Sequence, residues 1–427
     1  MGTAASMTQS AEIVESIVEP KAVVVSATSG TTDTLIKLGK TAFDGGEWED
    51  IWREIVERHE NMVKELGVEV ELSGFWDELR KIAQGISMIK ELSPSTLDRM
   101  MTFGERISCQ ILAALLVKRG GRAVAMDAYN FVYTDNNFGE GNVDFAKSDK
   151  AIVEQVGGVI ASGAVPVITG FVGQAENGSY ITLGRGGSDY SCAIVGAALG
   201  ASEVQIWTDV DGILNADPRL ISEAKVLGQL SFNEAAELAF FGAKVLHPKT
   251  IKPAIKKDIP VKILNTFNPS APGTIITNDE EESIKSVTYR KGVAVINVCS
   301  AGMLEARGFM AKLFAVFRKH EVGVDVVSTS EVSVSMTVDD HVSDELIKDL
   351  SEFAGVDVQH NMAIVCLVGE GIRSKTSVLG DVFTAISEYD VSMVSQGSSK
   401  RNITFVVEEV VVQEVVKKVF GKFFAKN

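Results

Sequence analysis

The chain has 427 residues, which is too long for one hydrophobic core and therefore indicates two or three domains. Its hydrophobic share of 45% and charged share of 23% are ordinary for a globular protein. It contains no run of about 18 apolar residues that would span a membrane. The net charge of −16 argues against a nucleic-acid partner, although local Arg and Lys side chains can still bind a small anion.

The cysteines provide no evidence for a zinc site or a disulfide framework. No Cys-x-x-Cys pair occurs, and the four cysteines are far apart: Cys109, Cys192, Cys299 and Cys366. This usage is typical of a reducing compartment, so we expect a cytoplasmic protein.

Residues 1–280 alternate strand-like and helix-like segments. A charged helical region covers residues 48–90. The predicted strands are residues 21–26, 161–168, 179–183, 203–207 and 259–264. Strands separated by helices of this length predict an α/β architecture with a mainly parallel sheet. Residues 268–273 are rich in turn formers and residues 278–282 are polar, so we place the domain boundary there.

Beyond this boundary the chain repeats itself at an offset of 69 residues. Phe314 aligns with Phe383 and Ser330 with Ser399, and residues 334–338 align without a gap with residues 403–407. Each copy is an amphipathic helix, a short strand, a polar turn and an alternating strand. Two copies of one β-α-β unit explain this pattern, and they are expected to pack on each other or on a second chain. Chance similarity between two amphipathic segments is the alternative.

The densest group of polar and glycine residues begins at residue 184. Residues 184–189 read Gly-Arg-Gly-Gly-Ser-Asp, follow a predicted strand and open a helix. Glycines allow backbone N–H groups to approach a ligand, and a helix N-terminus favours a negative charge. Arg185 adds a planar guanidinium suited to a carboxylate or phosphate. A purely structural turn explains the glycines equally well.

The next strand ends in Thr-Asp-Val-Asp-Gly at residues 208–212, with Asp-Pro-Arg at residues 217–219. Polar groups at the end of such a strand lie where open α/β sheets bind ligands, and this set suits a nucleotide with a divalent cation. Individually these acids are more often turn formers. Lys244, after a helical run, suits a phosphate but also suits solvent, and His247 before a proline favours a structural role.

Two earlier segments carry further candidates. Residues 26–33 leave a strand as a hydroxyl-rich turn, and residues 103–108 open a helix in which Glu105 is suited to an ammonium group. The chain contains no Walker A sequence, no His-Glu-x-x-His sequence and no Ser-His-Asp order.

Together these segments resemble the aspartokinase family over nearly the whole chain. The matching blocks, in the family's order, are residues 25–27 with Gly30 and Thr32, 104–106, 184–189, 208–213, 217–219 and 242–248. The repeat resembles the paired ACT domains of the same proteins. The resemblance implies an amino-acid kinase fold, a three-layer α/β sandwich with a mainly parallel sheet, over residues 1–280. Two ferredoxin-like β-α-β ACT domains would follow at residues 285–356 and 357–427.

The resemblance also implies roles for individual residues. Aspartate would be held by Thr32, Glu105, Arg185, Ser188 and Asp189. ATP would be bound by Thr208, Asp209, Arg219, Lys244 and Val245. The residues closest to the chemistry would be Arg185, Asp189 and Lys244. A lysine effector would contact Met303, Gly308, Phe309, Met310, Val324, Asp325, Ser330 and Glu331. No protein metal ligand is implied, because Mg²⁺ is often held mostly by phosphates and water.

The function implied is aspartate kinase activity. The γ-phosphoryl group of Mg-ATP would pass to the side-chain carboxylate of L-aspartate to give 4-phospho-L-aspartate, the first step of lysine, threonine and methionine biosynthesis. The ACT domains would mediate feedback inhibition, with L-lysine as the expected effector, and would form a homodimer. Neither a nucleic-acid nor a membrane partner is expected.

One departure from the family concerns the N-terminus. The family begins with a strand and a Lys-Phe-Gly-Gly-Thr-Ser loop whose lysine contacts the transferring phosphate. In this chain residues 10–14 are similar to the end of the helix that follows that loop. The expectation from sequence is therefore a truncated aspartokinase, inactive or nearly so as written.

Two alternatives remain open at this stage. Another amino-acid kinase would act on a related carboxylate or carbamate, although the pairing of Glu105 with Arg185 and the tandem repeat favour aspartate. A non-catalytic amino-acid-binding regulatory protein would use only the ACT pair.

Overall fold

A computed structural model describes residues 1–242, 248–300, 303, 308–397 and 399–425. The chain divides into two compact units. The first contains residues 1–211 and 246–277, and the second contains residues 212–245 and 278–427. The polar stretch predicted as a boundary therefore coincides with a change of unit, and residues 212–245 belong to the second unit although they precede that stretch in sequence.

The first unit begins with helices that surround one strand. Its elements are, in chain order, α1 (Ala4–Ser16), β1 (Val23–Val25), α2 (Thr31–Asp44), α3 (Trp48–Leu66), α4 (Ser73–Ile89), α5 (Pro94–Met101), α6 (Phe103–Lys118), β2 (Ala123–Met126), α7 (Phe145–Ala161), β3 (Val165–Thr169), β4 (Val172–Gln174), β5 (Tyr180–Thr182), α8 (Gly187–Leu199) and β6 (Val204–Thr208). The elements of this unit after residue 246 are α10 (Pro248–Lys256), β8 (Val261–Asn265) and β9 (Thr274–Thr277).

Local sequence explains several helix ends. Thr3 caps α1 through its hydroxyl, and Ser93 caps α5 just before a proline in the first turn, where the missing N–H costs nothing. Gly67 ends α3 in the left-handed conformation that glycine adopts without strain.

Strands β1, β3 and β2 form a parallel sheet in that order, with Val24 opposite Ile168 and Ala125 opposite Val167. Side chains that follow one another along a strand of this sheet pack into different hydrophobic cores. Val167 belongs to the core formed by α1–α6, whereas Ile168 belongs to the core that contains residues of α7 and α8. This alternation places helices on both faces of the sheet, so the predicted three-layer α/β arrangement is confirmed.

A second group of strands completes the first unit. Strand β6 pairs in parallel with β8, and β9 pairs antiparallel with the other edge of β8. The hairpin of β4 and β5 is separate. The predicted strands at residues 21–26 and 179–183 contain β1 and β5, and those at residues 203–207 and 259–264 overlap β6 and β8, each of which ends one residue later. The prediction for residues 161–168 starts too early, because Ala161 is the last residue of α7 and the strand begins at Val165.

The second unit contains the repeat. Its elements are β7 (Gln229–Ser231), α9 (Phe232–Phe240), β10 (Ile284–Cys299), α11 (Phe309–Lys319), β11 (Val327–Thr329), β12 (Ser333–Asp339), α12 (Asp344–Ser351), β13 (Gly355–Gly369), α13 (Thr376–Ala385), β14 (Met393–Gln396), β15 (Asn402–Glu408) and α14 (Val412–Phe423). An offset of 69 carries the bounds of β12 onto those of β15, as the sequence repeat predicts.

In the described part of this unit, six strands form one sheet in the order β11-β12-β10-β13-β15-β14. The order is symmetric, because each strand of one copy has its counterpart at the same distance from the central β10–β13 pair. That pair is antiparallel along nearly its full length. Strands β10 and β13 run through both halves, so the division of this unit at residue 356 stays a prediction.

One apolar stretch needs separate comment. Helices α5 and α6 together, residues 94–118, are long and apolar enough to cross a membrane by length and composition, with a mean hydropathy of 1.3 over an 18-residue window. However, 78% of that window is buried inside the fold, as in the core helix of a globular protein.

Candidate active site

The hydroxyl-rich turn after β1 lies between two helices. Gly30 has φ 77°, a left-handed conformation that favours glycine, and α2 begins at the next residue. The Thr28 and Thr31 hydroxyl oxygens lie 2.6 Å apart, and Thr28 Oγ1 lies 3.0 Å from Nε2 of His59 on α3. Thr32 is half-buried in the first turn of α2. The turn therefore lies at the carboxyl end of β1 and is held to α3 through the Thr28 and Thr31 hydroxyls.

Glu105 lies in the first turn of α6 and is 4% exposed. The backbone N–H groups of Ala27 and of Glu105 itself act to lower its pKa, but burial outweighs them and raises the pKa from 4.5 to about 8. Its Oε2 atom is buried without a hydrogen-bond partner. The preceding residue must be glycine, because a Cβ on Gly104 would lie 2.6 Å from Ala27 Cβ. A buried carboxyl with one unpaired oxygen is suited to a cationic ligand.

The glycine-rich segment predicted to bind a ligand lies at the start of α8. Gly184 and Gly186 have φ of 80° and 65°, so both occupy the left-handed region before the helix begins. Arg185 is exposed. Asp189, in the first turn of α8, has its pKa raised to about 6 by burial.

Three of the residues predicted to bind aspartate are placed around the carboxyl end of β1. A Cβ on Gly170 would lie 2.8 Å from both Ser188 Cβ and Val25 O, so Ser188 faces the last residue of β1. Glu105 reaches the turn that follows β1, and Thr32 ends the same turn. This is the edge at which parallel α/β sheets bind ligands.

The residues predicted to bind the nucleotide lie in different parts of the chain. Thr208 ends β6, and its hydroxyl donates to Asp209 Oδ1 at 3.1 Å. Both residues belong to the first unit. Arg219 belongs to the second unit, where its guanidinium donates to both carboxylate oxygens of Asp217 at 3.0 and 2.7 Å. Lys244, Val245 and His247 lie outside the described residues.

In the part of the chain that the structure describes, no group of three or more His, Cys, Asp or Glu side chains is close enough to hold a metal ion. Magnesium needs fewer protein ligands, because it keeps several waters and binds substrate phosphates. Asp209, exposed at the carboxyl end of β6, is compatible with such a site.

The residues predicted to bind the effector are divided between a core and a turn. Four apolar ones, all partly buried, pack against the same hydrophobic cluster: Met303, Phe309, Met310 and Val324. Gly308 precedes α11 with φ 95°. Ser330 accepts from Ser333 N at 3.1 Å in the turn between β11 and β12, beside the exposed Glu331. Asp325 is ion-paired with Arg290 at 3.1 Å.

Three polar residues of the first unit were not predicted from the sequence: His59 and Asp98 are buried, and Arg106 is partly buried. His59 is fully buried on the face of α3 that also carries Ile51, Ile55, Met62 and Leu66. That spacing was a usable signal, because a histidine among apolar residues at helical intervals must find a buried partner.

Asp98 on α5 had no such signal. It is 1% exposed, and its Oδ2 accepts from Gly139 N at 2.8 Å and Thr182 N at 2.9 Å. Its Oδ1 accepts from the Thr182 hydroxyl at 3.1 Å. A Cβ on Gly184 would lie 3.1 Å from Glu140 Cγ, so the loop that Asp98 holds adjoins the glycine-rich segment.

Arg106 follows Glu105 and is partly buried among aromatic rings. Its guanidinium is 3.3 Å from Glu78 Oε2 and 3.5 Å from Asp127 Oδ2. Its guanidinium carbon lies 5.1, 4.7 and 4.6 Å from the ring centres of Phe75, Phe103 and Tyr180. These contacts join α4, α6 and β5 at the residue that follows Glu105 in sequence.

Comparison with known proteins places the chain in a family. A model of the amino acid kinase family matches residues 2–265, and an ACT domain model matches residues 296–352 and 365–423. Aspartokinase 1, chloroplastic, of Arabidopsis thaliana is 36% identical over 430 residues, covering 95% of this chain and 75% of that protein. Lysine-sensitive aspartokinase 3 of Escherichia coli is 32% identical over 443 residues, covering 98% of this chain and 96% of that protein.

Solved structures agree over the full length. E. coli aspartokinase III in complex with aspartate and ADP has a TM-score of 0.85 at 31% identity, covering 99% of this chain and 97% of that one. The aspartate kinase of Clostridium acetobutylicum has a TM-score of 0.86 at 28% identity with the same coverage. From its sequence motifs, its two-unit fold and these relatives, the chain belongs to the aspartokinases of the amino acid kinase family, with a C-terminal pair of ACT domains.

Proposed function

We propose that the chain transfers the γ-phosphoryl group of ATP to the side-chain carboxylate of L-aspartate, giving 4-phospho-L-aspartate. The observation that carries this proposal is the buried Glu105 carboxyl with an unpaired oxygen beside the turn after β1. An α-amino acid supplies the ammonium group that such a carboxyl lacks. The E. coli relative crystallised with aspartate and ADP supports aspartate and an adenine nucleotide as ligands.

In the proposed substrate site, different residues bind the different charged groups of aspartate. Glu105 binds the α-ammonium and Arg185 binds the α-carboxylate, since a guanidinium matches a carboxylate with two hydrogen bonds. Thr32, Ser188 and Asp189 orient the remainder of the substrate. The acceptor carboxylate is already ionised at neutral pH, so the reaction needs no strong general base.

The proposed nucleotide site uses Thr208, Asp209, Arg219, Lys244 and Val245. Catalysis of phosphoryl transfer depends mainly on alignment and on neutralising the charge of the transferred group. We assign that neutralisation to Lys244 and to backbone N–H groups, with Arg185 and Asp189 aligning the acceptor. Bound Mg²⁺, held mostly by phosphate oxygens and water, supplies further positive charge.

Regulation is proposed to act through the ACT pair. The effector is L-lysine, bound by the residues around α11 and the β11–β12 turn, and the E. coli relative solved with lysine and aspartate supports this choice. Two copies of the chain are proposed to associate through their ACT domains. The catalytic domain is assigned to residues 1–280 and the ACT domains to residues 285–356 and 357–427. The four cysteines, none of them in a disulfide, support a reducing compartment such as the cytoplasm.

A hydroxamate assay tests the activity, because hydroxylamine traps an acyl phosphate. Aspartate and N-acetylglutamate are compared as acceptors with Mg-ATP, with and without lysine. We expect product from aspartate alone and inhibition by lysine. Product from N-acetylglutamate would indicate another amino-acid kinase. Calorimetry that detects lysine binding but no ATP binding would indicate a non-catalytic regulatory protein.

A further inference from the structure

A hydrogen-bonded chain of three buried side chains connects α3 to the turn after β1. His59 is fully buried, and Thr28 and Thr31 are each 1% exposed. His59 Nδ1 lies 2.7 Å from Ile55 O, and its Nε2 lies 3.0 Å from Thr28 Oγ1, which is 2.6 Å from Thr31 Oγ1. Every polar atom of the imidazole is therefore used.

The chemistry of the partners fixes the direction of each hydrogen bond. A backbone carbonyl can only accept, so Nδ1 of His59 carries the proton that it donates to Ile55 O. Burial lowers the pKa of His59, which favours the neutral imidazole, and its Nε2 is then an acceptor. Thr28 must therefore donate to His59, and Thr31 must donate to Thr28. Removing either threonine hydroxyl, or replacing His59 by a side chain with no acceptor at the position of Nε2, breaks this order of hydrogen bonds.

The turn held by this chain is the one that adjoins Glu105. The Glu105 carboxylate accepts from Ala27 N, and the Ser108 hydroxyl donates to Ser26 O at 2.7 Å. Helix α6, through Ser108, and helix α3, through His59, therefore both hold this turn. Helix α2, whose first turn contains Thr32, starts directly from this turn.

We infer that His59 is a positioning residue of the aspartate site. Through the Thr28 and Thr31 hydroxyls, His59 fixes the turn at residues 26–31. The position of this turn determines where Thr32 and the Ala27 N–H lie relative to Glu105. The expected effect on substrate binding rests on the proposed function, whereas the expected effect on the turn itself does not. His59 is fully buried and acts on the site through the turn, so the expected signature is a change in aspartate KM.

Three variants separate this role from simple packing. His59→Leu removes the acceptor while keeping an apolar side chain on the buried face of α3. His59→Gln retains an acceptor oxygen near the position of Nε2. Ile55→Val removes one methylene beside the chain of hydrogen bonds and leaves the backbone carbonyl of residue 55 in place, so it reports the effect of packing alone.

The first readout is steady-state kinetics of the full chain. We expect His59→Leu to raise the aspartate KM about tenfold and the ATP KM less than about twofold, because one positioned turn at the aspartate site is loosened. His59→Gln is expected to recover most of the aspartate KM, and Ile55→Val to leave it close to wild type. Equal KM values for the Leu and Gln variants, or a parallel rise in both KM values, would overturn the inference.

The second readout is amide hydrogen exchange over residues 26–32 of the substrate-free chain. We expect exchange about tenfold faster in His59→Leu and near the wild-type rate in His59→Gln and Ile55→Val. Unchanged exchange in His59→Leu would refute the positioning role. If the wild-type chain fails to phosphorylate aspartate, the proposed function fails, and the exchange rates still decide what His59 does.

Discussion

Replacing Glu105 by glutamine is expected to stabilise the substrate-free fold while removing most of the activity. The buried carboxyl has an oxygen without a partner, and burial raises its pKa from 4.5 to about 8. Glutamine has nearly the same shape, retains an oxygen that can accept from Ala27 N, and cannot ionise. The substitution therefore tests whether burial destabilises the ionised carboxylate of Glu105 until an ammonium group binds beside it.

The size of the stability effect follows from the two pKa values. The folded-state pKa lies above the unfolded-state value, so the folded chain binds the proton more tightly. The stability from this group is fully present below pH 4.5 and is lost as the pH rises to about 8. Between pH 5 and pH 8 the loss amounts to about 3 to 4 kcal/mol in wild type and to nothing in Glu105→Gln.

Tryptophan fluorescence during urea unfolding measures the stability of the first unit, which contains Glu105. All four tryptophans belong to the first unit: Trp48, Trp52, Trp76 and Trp207. The free energy of unfolding is measured at pH 5 and pH 8 without ligands for wild type, Glu105→Gln and the control Glu57→Gln, whose side chain is exposed on α3. Wild type and the control should lose about 3 to 4 kcal/mol more than Glu105→Gln over this interval.

The kinetic arm uses the same variants. Removing the negative partner of a buried ammonium group should lower kcat/KM for aspartate at least about 100-fold in Glu105→Gln. The control should stay within a few-fold of wild type. Parallel loss of stability with pH in all three proteins, or near-normal aspartate kinetics in Glu105→Gln, would refute the reasoning.

Three further predictions concern Glu105 itself, Asp98 in the first unit and Asp325 in the second. The aspartate KM of wild type should fall about tenfold or more between pH 6.5 and pH 8.5, because ionised Glu105 becomes available as the pH rises; a flat KM profile would contradict this. Asp98→Ala should lower the free energy of unfolding by about 2 to 4 kcal/mol by leaving the backbone N–H groups of Gly139 and of the buried Thr182 unpaired. Asp98→Asn should cost less than about 1 kcal/mol, since its oxygen can accept both N–H groups and its amide can donate to the Thr182 hydroxyl; equal urea midpoints for the two variants would argue against this account. Asp325→Asn should raise the lysine concentration for half-inhibition at least about tenfold. Asp339→Asn, which alters the more exposed partner of the same arginine, should change that concentration little. Equal shifts in an inhibition titration would exclude a direct role for Asp325.

Features that depend on short stretches of chain could be predicted from the sequence. The apolar run at residues 23–25, the helices between residues 48 and 90 and the 69-residue repeat follow from hydrophobic periodicity. The glycines around Arg185 predicted a strand-to-helix turn because only glycine adopts those backbone angles without strain. Strand starts were less accurate, as at residues 161–165, because an apolar residue can continue a helix or begin a strand.

Features that depend on distant partners were decided only by the tertiary structure. Asp98 and Thr182 are 84 positions apart, and His59 and Thr28 are 31 apart, so no local pattern links them. The raised pKa of Glu105 comes from burial, which the residues flanking it in sequence do not determine. The family of the chain and its candidate residues were thus available from sequence. The strain on Glu105 and the role inferred for His59 required the packed fold, because desolvation and buried hydrogen bonds arise only when separate segments exclude water together.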